Sequence, residues 1–382
     1  MNYLFYIIII FLIAMCLELI VIPKLLIISY KKKLFDEPGE RKQHDGSISR
    51  LGGVTFLPII LFALCITVTI SLYIDPTMEM LQIPEIGIKQ IFIELAFLFS
   101  GLILLYFVGI MDDLIGVGYK VKFVVQILCG MFLVMSGIWL NDFNGLLGFI
   151  DIPRWVGYPL TVFIVVFIIN SINLIDGIDG LASGLSIIAF GVLSFTFYQK
   201  GYFPFAMIAA AVIGCLLPFF YYNVFGRGKS RKKKIFMGDT GSLAIGMLLA
   251  YLLIRCTMNI TNNAPELPNP LIIFSVIIIP CFDAVSVAIH RMWKGANPFK
   301  PDRNHLHHKF MRIGLSPRKS LIIILAMSVL FILINFVLAH YIQIKWILLI
   351  NIMTYVFIHV WLERKIKITE NKTAVKNNFV DE

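Results

Sequence analysis

The chain is 382 residues long, 59% hydrophobic and only 15% charged, with a formal net charge of +10 and a mean hydropathy of +0.86. A soluble globular domain averages about 25% charged residues, so this composition excludes one and leaves a polytopic membrane protein with a single transmembrane body. The positive charge points to nucleic acid, anionic lipid or an anionic substrate, and its position along the chain must decide among them.

The first apolar run has no basic n-region at Met1-Asn2-Tyr3 and is followed by Lys31-Lys32-Lys33. It reads as a retained helix whose far end lies in the cytoplasm. Eleven spans follow from runs of about 20 apolar residues: 3–29, 51–74, 89–110, 120–139, 157–175, 182–198, 203–222, 239–257, 270–293, 319–339 and 345–362. The expected fold is therefore an all-α integral membrane protein. Its transmembrane body covers 1–365, and a polar cytoplasmic tail covers 366–382. With alternating topology, one side receives all of the 33 basic residues except Lys89, Arg154, Lys200, Arg255 and Lys345. That bias marks the cytoplasmic side. The six cysteines all fall in apolar runs without a CxxC pair, which argues against a disulfide framework or a zinc site.

Five polar clusters fall on the cytoplasmic side. The first is Asp36-Glu-Pro-Gly-Glu-Arg41-Lys42-Gln-His44, ending in Arg50-Leu-Gly52-Gly53. Asp112-Asp113 ends the third span, and Lys120, Lys122 and Gln126 enter the fourth. The stretch Asn170-Ser-Ile-Asn173-Leu-Ile-Asp176-Gly-Ile-Asp179-Gly lies between two spans, with each aspartate directly before a glycine. Charge there must be hydrated, paired or metal-bound. Asn223 precedes a basic run and then Met237-Gly238-Asp239-Thr240-Gly241-Ser242, which opens the eighth span. The last cluster runs from Asp283 and Arg291 to His305-Leu306-His307-His308.

This mixture suits a divalent cation and a phosphorylated substrate. Carboxylates are hard ligands for Mg²⁺ or Mn²⁺, basic groups bind phosphate oxygens, and backbone N–H groups at a helix start attract anions. Each piece also has a plainer reading. Asp112-Asp113 could be a solvated helix end, and the three histidines a surface cluster. Gln126 and Asn170 read as a helix–helix hydrogen bond. Arg231 to Lys234 read as a positive-inside or anionic-lipid anchor, and Asp283 as a buried contact or a catalytic group in equal measure. Five such clusters on one face, opposite a nearly blank face, favour the joint chemical reading.

The order and spacing of these motifs resemble the polyprenyl-phosphate N-acetylhexosamine-1-phosphate transferases of glycosyltransferase family 4. The resemblance rests on Asp112-Asp113 with Lys122, on Asn173 to Asp179, on Met237 to Ser242 and on His305-Leu-His307-His308, and it spans nearly the whole chain. It implies transfer of a sugar 1-phosphate from a UDP-sugar to undecaprenyl phosphate, with release of UMP, at the cytoplasmic face of a bacterial inner membrane. The loop Asp36-x-Pro38-x-x-Arg41-Lys42-x-His44 and the His-x-His-His pattern resemble the branch that uses UDP-GlcNAc. That branch starts lipopolysaccharide O-antigen, common antigen, teichoic acid or capsule synthesis. The alternative branch, phospho-MurNAc-pentapeptide transferase, shows three adjacent histidines. Two departures stand out: Ser47 and Ser49 flank Ile48 where prolines are usual, and Gly226 to Lys234 is long and basic.

The resemblance implies Asp112, Asp113, Asp176, Asp179 and Lys122 as catalytic residues. It implies Mg²⁺ (or Mn²⁺) held chiefly by Asp239, with Asp113 and Asp176. His305, His307, His308 and Lys122 would hold the diphosphate, Asn173 and Asn223 would read uracil, and Asp36, Arg41, Lys42 and His44 would border the lipid-phosphate or sugar end. A homodimer is compatible with such an enzyme, and no residue pattern requires one. A secondary transporter would place charge near the bilayer midplane, often in inverted repeats. An aromatic prenyltransferase would space its Asp pairs more widely and lack the histidine loop.

Overall fold

The computed structural model describes residues 3–32, 49–74, 83, 86–143, 152–226, 234–258, 273–295 and 304–378, with side chains to residue 371. Asp36, Arg41, Lys42, His44 and Arg231 to Lys233 lie outside the described residues. The helices are α1 (Tyr3–Lys32), α2 (Phe56–Ile74) after a 3-10 turn (Leu51–Thr55), α3 (Ile88–Ile115), α4 (Tyr119–Met135), α5 (Arg154–Ile175), α6 (Leu181–Gln199), α7 (Phe203–Phe225), α8 (Gly238–Thr257), α9 (Ile278–Trp293), α10 (Leu306–Arg312), α11 (Pro317–Leu338) and α12 (Ile344–Asn378). Among the described residues there is no β-strand, and the fold is all-α as expected.

Ten of these helices are long and apolar enough to cross a membrane, α9 together with the 3-10 turn Ser275–Ile277 that precedes it. The expected eleventh span is α4, which has 17 residues. At about 1.5 Å per residue it measures roughly 25 Å, short of a hydrocarbon core of about 30 Å. The chain must nevertheless cross back here. Asp112 at the end of α3 and Asp176 after α5 both lie at the same end of the bundle, so the segment between them returns to the opposite side and comes back. At its far end α12 continues as helix to Asn378, through most of the polar stretch expected to be a tail.

The bundle is built around α8, whose spanning window is wholly buried. Its small residues Gly241, Ala244, Gly246 and Ala250 let neighbouring backbones approach. Gly241 faces Gly53 so closely that a Cβ on Gly53 would stand 2.2 Å from the Gly241 nitrogen. Far from the polar end, Arg255 of α8 and Glu94 of α3 form a buried pair at 3.2 Å, with the guanidinium carbon 5.1 Å from the Phe205 ring centroid. Inside the bundle, Asn170 donates to Gln126, the helix–helix contact expected from the sequence. The same Asn170 nitrogen also meets its own turn at Val166 O, at 2.7 Å.

Candidate active site

The loop after α1 and the segment before α8 run side by side. Phe236 N donates to Ser49 O (2.8 Å), Gly52 N to Phe236 O (3.0 Å) and Gly53 N to Met237 O (2.8 Å). This short ladder fixes the chain entering α8. Gly238 then turns with φ +70°, and a Cβ there would collide with Arg50 O and both Asp113 oxygens. Only glycine fits that turn.

Asp113 reaches over from α3 to cap α8. Its Oδ1 accepts from Asp239 N (2.8 Å), and its Oδ2 accepts from Thr240 N (3.0 Å) and Thr240 Oγ1 (2.6 Å). Three donors on one carboxylate satisfy the open N–H groups of the helix and oppose its positive end. Asp113 is therefore first a cap. Lys122 of α4 bridges the other two carboxylates, at 2.7 Å from Asp239 Oδ2 and 3.2 Å from Asp112 Oδ2. Asp112 Oδ1 also accepts from Val117 N at 2.7 Å, which folds the α3–α4 turn around it.

A cavity of about 270 Å³ opens between these groups. Its wall carries four carboxylates, Asp113, Asp176, Asp179 and Asp239, together with Arg50, Asn173, Asn223 and Phe236. Asp112 and Lys122 stand at its edge. Asn173 Nδ2 donates to Ser242 Oγ at 2.8 Å, joining α5 to α8. Asn223 ties two loops, since its Oδ1 accepts from Gly180 N and its Nδ2 donates to Ile235 O at 2.7 Å. Asp176 follows the last turn of α5. Its pKa is pushed up to about 7, first by desolvation in the wall of the cavity and further by the charges of Asp239, Asp179 and Asp113, although the residue stays exposed to the cavity. Such a cluster favours either a proton or a cation.

Lys234 departs from the sequence reading. It is buried rather than an interfacial anchor, forms an ion pair with Asp179 Oδ2 at 2.7 Å, and lies 4.8 Å from the Phe236 ring centroid. As the last lysine of its run, next to the buried Ile235, it belongs with the apolar segment that follows.

The histidines lie behind the cavity, not on its wall. His307 is fully buried against the Asp176-Gly177 turn, so close that a Cβ on Gly177 would meet its Nε2. Burial pushes its pKa down to about 3, helped by His308 and His305 and opposed by Asp283. Without a charge, it packs behind the Asp176-Gly177 turn and backs the cavity wall. Its ring stacks with His305 (5.7 Å between centroids) and meets His308 (4.1 Å). Asp283 of α9 answers the question its position raised. Its Oδ2 meets His305 Nδ1 at 2.7 Å and its Oδ1 accepts from Leu306 N at 2.7 Å, so it orients the first histidine and starts α10. Sequence reasoning did not assign Arg50 or Lys234 to the site. Arg50 had one signal, its place just before Gly52-Gly53, where backbone approach is close.

Comparison with known proteins gives the family. The model of glycosyl transferase family 4 matches residues 95–257, which hold Asp112 through Asp239. A Yersinia pestis protein named undecaprenyl-phosphate alpha-N-acetylglucosaminyl 1-phosphate transferase is 33% identical over 299 residues, covering 78% of this chain and 74% of its own. The protein of the same name from Escherichia coli K12 is 30% identical over 337 residues, covering 87% and 84%. From Bacillus subtilis strain 168, a probable undecaprenyl-phosphate N-acetylglucosaminyl 1-phosphate transferase is 30% identical over 334 residues, covering 85% and 83%. With identity at this level running through most of both sequences, the chain belongs to glycosyl transferase family 4.

Proposed function

We propose that this multi-pass membrane protein transfers N-acetylglucosamine 1-phosphate from UDP-GlcNAc to undecaprenyl phosphate and releases UMP. The reaction takes place at the cytoplasmic face of a bacterial inner membrane and starts a cell-envelope polysaccharide, such as a lipopolysaccharide or cell-wall glycan. The observation that carries this reading is the cavity at the polar end of the bundle, where four carboxylates converge beside Arg50. A lipid acceptor reaches such a position without leaving the membrane. The names of the relatives support the donor and the acceptor. The His-x-His-His pattern favours this branch over the MurNAc-pentapeptide branch.

An oxygen of the lipid phosphate attacks the β-phosphorus of the donor, and the bond from that phosphorus to the oxygen shared with the α-phosphorus breaks. Both reactants are anions, so catalysis here is positioning and charge compensation. Asp239, with Asp176 beside it, would hold Mg²⁺. The fit rests on the donor set, hard carboxylate oxygens from four side chains that line one cavity. Among the described residues no three His, Cys, Asp or Glu side chains form a ready ligand cluster. When bound, Mg²⁺ neutralises the diphosphate and the leaving UMP.

Asp113 sets the angle of α8 and thereby the position of Asp239. Lys122 holds Asp112 and Asp239 together by offsetting their mutual repulsion and offers its ammonium to phosphate oxygens. Asp112, at the cavity edge, orients the lipid phosphate. That acceptor is already at least singly ionised at neutral pH, so no strong base is required. Asp179, neutralised by Lys234, holds the wall that carries Phe236, whose ring offers a stacking face to a base. Asn173 and Asn223 bring amides to the same wall, and neutral His307 supports the Asp176-Gly177 turn from behind.

Purified protein in detergent with undecaprenyl phosphate, MgCl₂ and a panel of UDP-sugars tests the proposal. UMP should appear with UDP-GlcNAc, stop on addition of EDTA and return with excess Mg²⁺ or Mn²⁺. UMP formed only with UDP-MurNAc-pentapeptide would move the protein to the other branch. Turnover indifferent to chelation would remove the metal.

A further inference from the structure

Apolar packing holds α12 only weakly. Trp346, Met353, Phe357, Val360 and Trp361 are all exposed on its surface and look toward lipid. Its polar side chains follow a different line. Tyr355, His359 and Glu363 recur every four residues, which places them on one face of a helix, and that face meets the elements behind the histidine motif. The Tyr355 ring packs edge-on against Phe282 of α9 (5.3 Å) and lies 4.5 Å from the His359 ring.

Lys309 of α10 completes the contact. Its Nζ donates to Glu363 Oε1 at 2.8 Å and meets His359 Nδ1 at 3.1 Å. An ammonium can only donate, so Nδ1 accepts and His359 carries its proton on Nε2. Lys309 is 7% exposed. A buried ammonium that loses its anionic partner is costly, so Lys309 follows Glu363 if that residue moves. Further along, Arg312 Nη2 meets Glu370 Oε1 at 2.6 Å, between half-exposed side chains that contribute little. Lys309 directly follows His308 and sits two residues beyond His307 in the same seven-residue helix. Leu306, His307, Lys309 and Phe310 of this helix are all buried, and the Lys309 contact adds to the hold of Asp283 at its start on the rotation of the motif.

We propose that α12 positions the histidine motif and that Glu363, acting through Lys309, is a positioning residue for the diphosphate-binding part of the site. This rests on the reaction proposed above, with the histidine helix supporting the Asp176-Gly177 turn of the cavity wall from behind. Glu363 is about half exposed and does not touch the cavity, so its removal spares the cavity lining and the cost falls on the buried Lys309. Glu363→Ala should raise the KM for UDP-GlcNAc about tenfold, the scale typical of a residue that supports a ligand-binding group from behind. The KM for undecaprenyl phosphate should stay at its wild-type value. Glu363→Gln, which keeps an acceptor for Lys309, should recover most of the loss.

A merely structural role would lower the active fraction and leave both KM values alone. An unchanged KM for UDP-GlcNAc in Glu363→Ala, or equal changes for the two substrates, would overturn the proposal while leaving the reaction in place. If Glu363→Ala does not accumulate, the same two KM values in Glu363→Gln decide, with a rise of about twofold expected for the donor alone. Absence of UMP release by the wild-type protein with every donor would overturn the reaction itself, and this proposal with it.

Discussion

Asp239→Asn is expected to abolish turnover, lowering kcat/KM by about a thousandfold or more, in a protein that still inserts and melts as the wild type does. The fold is spared because the Asp239 side chain supplies only one of the links that hold this end of α8, the contact with Lys122 at 2.7 Å. Asp113 caps α8 through the backbone N–H groups of residues 239 and 240 and through the Thr240 hydroxyl. Lys122 keeps Asp112 at 3.2 Å. Asparagine matches aspartate in size and can still accept from Lys122, so only the charge goes. That charge is what a cation and the developing charge on the diphosphate would feel, in a cavity where protein leaves little water to screen it. UMP release, read beside a thermal melt in detergent, checks the expectation. Near-normal turnover in folded Asp239→Asn would remove Asp239 from the chemistry.

Gly53→Ala should act on the fold rather than on the chemistry. The added Cβ would stand 2.2 Å from the Gly241 nitrogen and 2.6 Å from Met237 O. These are backbone atoms of the most buried helix, so no side-chain rotation relieves the clash. The loop after α1 must then lift away from α8, which breaks the bond from Gly53 N to Met237 O at 2.8 Å and loosens the chain that delivers Asp239. A destabilisation of about 3 kcal/mol or more is expected, the upper end for overpacking in a close-packed interior, with activity lost in parallel. Gly87→Ala is the control, because nothing lies within 4 Å of its added Cβ. A Gly53→Ala variant that melts like Gly87→Ala would contradict the close approach.

The membrane body was legible because spans announce themselves by length and apolarity, and the basic residues by their side. Most of the cavity was legible too. Asp113, Asn173, Asp176, Asp179, Asn223 and Asp239 lie on five separate elements, yet each stands in a short polar motif at a helix end. Such a place has a cost in a membrane protein unless chemistry or pairing uses it.

What stayed hidden depends on contacts between distant segments. Nothing near Asp179 in sequence says that Lys234 neutralises it, and a run of four basic residues looks like an anchor until the last of them is seen folded inward. Arg50 reaches the cavity through pairing between the Ser49 segment and the Ile235 segment, a partnership that periodicity does not carry. The shortness of α4 was masked by apolar residues beyond Met135 that continue the hydropathy but not the helix. Asp283 could be read either as a packing group or as a catalytic one, because its partner His305 lies 22 residues away.

The central claim is that a phosphate travels with the sugar. It is tested most directly with UDP-GlcNAc labelled with ³²P at the β-phosphorus, incubated with the full-length protein, undecaprenyl phosphate and Mg²⁺ and then partitioned between butanol and water. Label should move to the lipid phase as unlabelled UMP appears in the aqueous phase. Lipid that gains the sugar while the label stays behind in UDP would show plain glycosyl transfer, and would contradict the account.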